Sequence, residues 1–123
     1  MSWNLDSSRP IYVQLVEKIQ LDIISGTYEP GARLPSVREL ASQAGVNPNT
    51  MQKALSELER KKLVHSVRTS GRFITEDETM IEERKEELAS AQIRTFFEKM
   101  CQMGFDADKT IRLIEKMLKE EEL

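Results

Sequence analysis

The stretch AGVNPNTMQKAL, Ala44 to Leu55, decides how the chain reads. Gly45, Asn47, Pro48, Asn49, Thr50 and Gln52 crowd into eight positions, and the segment then continues with helical periodicity through Met51, Ala54, Leu55 and Leu58. Asn47 is placed to cap a helix, and Pro48 suits its first position, where no N–H is needed. Val46 and Met51 stand as the two partners of a hydrophobic staple. Uncharged amides and a hydroxyl are therefore set on an exposed first turn. A solvated surface helix has no need of that pattern.

The preceding residues supply a partner helix. SVRE, Ser36 to Glu39, reads as a capping box, and Val37, Leu40, Ala41 and Ala44 form one apolar face. Gly45 takes the left-handed turn that ends it, a conformation side chains resist. Two short helices across such a turn make a helix-turn-helix. Upstream, Tyr12, Leu15, Val16, Ile19 and Ile23 fall at helical spacing between Pro10, read as a first helical residue, and Gly26. Pro30-Gly31 fits a type II turn, and Pro35 limits any strand over Ala32 to Leu34.

Downstream, LVHSV and RFIT flank RTSG, a hairpin candidate with Gly71 at its tip. The expected fold is mainly α with a small β-hairpin: a winged helix-turn-helix over residues 1–75. Residues 76–123 read as a two-helix tail. Its long helix ends at Gly104, and Asp106 caps the last one. Ala107, Ile111, Ile114 and Leu118 form one stripe of that last helix, with Leu113 and Met117 beside it.

Charge divides the chain at the same place. The 123 residues carry a net charge of −3, yet residues 33–75 hold eight Lys/Arg against three acids, and residues 76–123 hold eight against fourteen. A basic working part and an acidic remainder follow. Helices lying in the major groove present their first residues to base edges, where Asn and Gln pair with adenine. Asn47, Asn49, Thr50, Gln52 and Lys53 are thus candidate DNA contacts, with Arg38 at a phosphate or groove edge. Arg68, Ser70, Gly71 and Arg72 form a thin cationic wing suited to the minor groove.

Other chemistry finds little support. No Ser/His/Asp arrangement, phosphate-cradling glycine loop or pair of buried acids appears, so an enzyme is not expected. His65, the single histidine, reads as a strand side chain, and Glu82, Glu83, Glu86 and Glu87 as a solvated face. Neither metal nor cofactor is expected. A single cysteine, Cys101, excludes an internal disulfide. No apolar run approaches the ~18 residues of a membrane span, and MSWNLDSSRP lacks the layout of a signal peptide; a cytoplasmic protein is expected.

From Ile11 through Val64 the sequence resembles the GntR family of bacterial transcriptional regulators. The elements G-x-Y-x-P-G-x-R-L-P-S-V-R-E-L-A and the helix-turn-helix stand in that family's order over about residues 8–75. VNPNT and the short tail are similar to its YtrA subfamily. The resemblance implies a dimeric, repressor-type regulator on an inverted-repeat operator, with contacts from Arg38, Asn47, Asn49, Thr50, Gln52 and Gly71. Many members carry Arg at the positions of Pro48 and Gln52, so no half-site preference transfers. The tail residues Ile93, Phe96, Phe97, Met100, Ile111, Ile114 and Leu118 are the expected homodimer interface on palindromic double-stranded DNA. A winged-helix adaptor that binds protein instead of specific DNA is the rival reading. The sequence names no small-molecule effector.

Overall fold

The order of elements follows from where the chain can start and stop helices. The structure, a computed structural model, describes residues 3–121. Helices α1 (Ile11–Ile24), α2 (Val37–Ala44) and α3 (Pro48–Arg60) precede strands β1 (Val64–Val67) and β2 (Gly71–Ile74), and helices α4 (Glu78–Gln102) and α5 (Ala107–Glu120) follow. The capping box forms as expected: the Ser36 hydroxyl accepts from the Glu39 N–H and the Glu39 carboxylate accepts from the Ser36 N–H, both at 3.1 Å. Pro10 stands just before α1 as its cap instead of inside the first turn, with φ −54° and ψ 131°.

One core unites α1, α2, α3 and the hairpin. Leu15, Ile19, Leu40, Met51, Ala54, Leu58, Leu63 and Ile74 are wholly buried, each large apolar side chain contributing roughly 1.5–3 kcal/mol. Glu29 and Ala32 close the Pro30-Gly31 turn with a 3.0 Å hydrogen bond. The segment after it adds an isolated β-bridge to the two-stranded sheet: Arg33 bridges Phe73, and the Leu34 N–H donates to the Arg72 carbonyl at 2.9 Å. An N-terminal strap, invisible in the periodicity, closes α1 from outside. Gln14 accepts from the Asp6 N–H at 2.6 Å and donates to the Arg9 carbonyl at 3.1 Å, while Trp3 and Leu5 pack against the core.

β1 and β2 pair antiparallel, with Val67 opposite Gly71. The wing tip is therefore Arg68–Thr69–Ser70, and Gly71 is not at the tip but opens β2. The Ser70 N–H donates to the Val67 carbonyl at 3.0 Å, a closure that puts the left-handed residue at Thr69, φ 68°.

Among the described residues, Lys62 is the other side-chain-bearing one in that conformation, at φ 65°, where the chain leaves α3. A left-handed residue with a Cβ costs about 1–2 kcal/mol, and glycine's extra unfolded entropy takes back roughly 0.5–1. Lys62→Gly is therefore expected to stabilise the protein by about 0.5–1 kcal/mol, read from the urea midpoint at unchanged slope.

Contacts divide the chain into Met1–Glu83 and Arg84–Leu123, a division that falls inside α4. The start of α4 goes with the first unit because Ile81 enters its core. In the second unit, Gly104 ends α4. The Phe105 N–H reaches the Met100 carbonyl at 3.0 Å and the Gly104 N–H the Cys101 carbonyl at 2.9 Å, the double closure of a Schellman end. Asp106 caps α5 by accepting from the Lys109 N–H. The buried position at this corner is Thr110, whose hydroxyl donates to the Asp106 carbonyl at 2.8 Å; the apolar stripe of α5 left it out. No helix among the described residues is long and apolar enough to cross a membrane.

Candidate nucleic-acid interface

Helix α3 sorts its residues cleanly. Met51, Ala54, Leu55 and Leu58 face the core, leaving Asn47, Asn49, Gln52 and Lys53 exposed and Thr50 half-buried. The Asn47 side-chain oxygen accepts from the Asn49 N–H at 2.7 Å, which fixes the first turn and commits that oxygen. Its side-chain NH2 group remains outward. Ser56 continues the exposed face one turn beyond Gln52, a position that helical spacing alone could have supplied.

The cations differ in how they are held. Arg38 is exposed on the first turn of α2 and has no ion-pair partner among the described residues. Lys53 leans back, its ammonium 3.8 Å from the centre of the Tyr12 ring on α1, a cation–π contact. Arg68 and Ser70 are exposed at the wing tip. Arg72 is tied down: its Nε donates to Glu59 at 2.7 Å, and its side chain is only 20% exposed. The Ser66 hydroxyl donates to the same carboxylate oxygen, so Glu59 fastens both hairpin strands to the end of α3.

Burial pushes the Glu59 carboxyl up, but the hydrogen bonds from Ser66 and Arg72 and the Arg72 charge outweigh it. The carboxyl sits below its ordinary value. The hairpin is thus anchored by an ionised group at neutral pH.

Residues from separate elements complete the wing. His65 stacks on Phe73 across the hairpin, with ring centres 6.1 Å apart and planes inclined by 24°. Arg33, absent from the sequence-based set, lies with its guanidinium on the bare Cα of Gly71. On the tail, Ile93, Phe96, Ile111 and Leu118 are exposed to 54%, 42%, 45% and 59%, while Phe97, Met100 and Ile114 are half-buried.

The winged geometry has known counterparts. The family model for bacterial regulatory proteins of the gntR family matches residues 11–74, from the first residue of α1 to the last of β2. The chain belongs to the GntR family. It is 36% identical over 104 residues to the HTH-type transcriptional repressor YtrA of Bacillus subtilis, covering 84% of this chain and 80% of that one. A GntR family transcriptional regulator from Listeria monocytogenes superposes with a TM-score of 0.85 at 40% identity, covering 91% of this chain and 98% of its own. The AraR DNA-binding domain in complex with operator ORX1 matches 61% of this chain and 92% of its own at TM-score 0.53 and 32% identity. This GntR member is accordingly a transcriptional regulator with a DNA-binding helix-turn-helix, of the short YtrA type.

Proposed function

We propose that this GntR member is a cytoplasmic repressor that binds an inverted-repeat operator as a homodimer. Residues 1–75 would bind DNA and residues 76–123 would join the two chains. The observation that carries the reading is the division of α3. Its apolar residues are sealed in the core, and Asn49 and Gln52 stand outward on the first turns with hydrogen-bonding groups free for base edges. Asn47, Thr50 and Lys53 flank them. Arg38 and the wing residues Arg68, Ser70 and Gly71 supply the rest of the surface, whose phosphate contacts set register without reading sequence, and Arg72 belongs to the wing that carries them.

Two observations support the finer points. Ile93, Phe96, Ile111 and Leu118 expose more apolar surface than a short tail needs for its own fold, and a second copy would cover it. The name repressor belongs to the YtrA relative, and AraR is a relative solved on an operator. Selection of bound duplexes from a random pool tests the reading. Two mirrored half-sites about one or two helical turns apart are expected. No enrichment over random duplex at ~150 mM salt would reject it in favour of the adaptor reading, because non-specific binding is weak there.

A further inference from the structure

Two arginines, Arg33 and Arg72, stand at the root of the wing. They line one groove with Ser36, Val37, Glu39 and Gly71. Sequence points to Arg72 as the one that touches DNA, since it lies in the hairpin. The contacts favour the other. Arg72 is half-buried and committed to Glu59 at 2.7 Å. Arg33 is exposed, with no carboxylate within ion-pair distance among the described residues. Its acidic neighbour in the groove, Glu39, accepts a hydrogen bond from the Ser36 N–H at 3.1 Å.

Arg33 is also held in place. Its backbone is pinned against β2 by the bridge to Phe73, by the Leu34 N–H to Arg72 carbonyl bond and by the Ile74 N–H to Ala32 carbonyl bond at 2.8 Å. Its guanidinium rests on Gly71: a Cβ at that position would lie 3.2 Å from Nε and 3.3 Å from Nη2. The backbone there, at φ +108°, also disfavours a side chain. Gly71 therefore has a second reason to be glycine besides any approach of the wing to a groove. It is the seat of an arginine.

We infer that Arg33, seated on Gly71, makes a phosphate contact at the wing root, and that Arg72 instead holds the wing to α3. The inference rests on the DNA-binding reading above and adds to it a residue and a division of labour. An arginine that neutralises one phosphate releases about one counterion, which appears as a unit of slope in log K against log salt. A residue that only braces the wing changes affinity without taking that unit.

The test titrates the full-length chain on the selected operator between ~50 and ~200 mM salt, for the unmodified protein, Arg33→Ala, Arg33→Lys and Arg72→Ala. Arg33→Ala, which removes one contact from each protomer of the dimer, is expected to weaken binding about a hundredfold and reduce the slope by about 1.8, and Arg33→Lys to keep the slope. Arg72→Ala is expected to keep the slope and to lower the melting temperature. An unchanged slope in Arg33→Ala, or the same loss in Arg72→Ala, overturns the inference. Failure of the unmodified protein to prefer the operator is a different result and would reject the regulator reading itself.

Discussion

Replacing Asn49 and Gln52 together with alanine is expected to weaken operator binding about a thousandfold while leaving affinity for random duplex unchanged. A well-placed amide–base pair discriminates by about 1–3 kcal/mol, and a two-fold dimer loses each contact twice, so even the low end of that range reaches roughly 4 kcal/mol. The fold should not notice. Both side chains are exposed, and the cap that starts α3 is the Asn47 oxygen on the Asn49 N–H, a main-chain donor that alanine retains. Stability should therefore stay within about 0.5 kcal/mol of the parent. Fluorescence anisotropy on operator and scrambled duplexes at one salt concentration reads the ratio. Equal losses on both duplexes would mean that these residues meet phosphates and not bases.

The second large effect is on assembly. Phe96→Asp is expected to turn a dimer into a monomer at micromolar concentration and to lower operator affinity by at least a hundredfold. Phe96 is 42% exposed and meets Phe97 edge-on at 5.7 Å, so α4 does not depend on it for internal packing. A carboxylate placed in an apolar interface without a partner costs about 3–5 kcal/mol, and two-fold symmetry introduces it twice. Without the tail contact, the second half-site is no longer bound at high effective concentration, and the avidity disappears. Affinity for an isolated half-site should not change. Sedimentation velocity and half-site titration check the two parts, and a monomeric parent protein would remove the premise.

How much of this was legible depended on the range of each signal. The capping box at Ser36 and Glu39, the Asn47-Pro48 start of α3 and the ends at Gly45 and Gly104 are written in residues a few positions apart, and all form. The split of α3 into an exposed and a buried face was readable for the same reason, because one helical period separates the two sets. The wing was not fully readable. Glu59 and Arg72 are joined across thirteen positions, Arg33 reaches Gly71 across the sheet, and Lys53 meets Tyr12 from another helix. None of those pairings leaves a periodic trace.

The tip shows a subtler difference. RTSG offers a glycine for the left-handed residue, yet strand register places Val67 opposite Gly71, so Thr69 takes a left-handed φ of 68° at the tip while Gly71, at φ 108°, opens β2. Thr110 is another case. Its hydroxyl is satisfied by the carbonyl one turn back, so a polar residue outside the apolar stripe takes the buried corner.

Methylation interference on the selected operator is the most direct test that a pair of outward-facing α3 helices reads base edges. Diethyl pyrocarbonate, used in parallel, modifies adenine N7 in the major groove, and dimethyl sulfate modifies guanine N7 there and adenine N3 in the minor groove, so the two reagents together report which edge is used. Two mirrored clusters of major-groove interference about one or two turns apart, each flanked by a minor-groove cluster under the wing, are the expected pattern. A single cluster, or interference confined to the minor groove, would contradict the account.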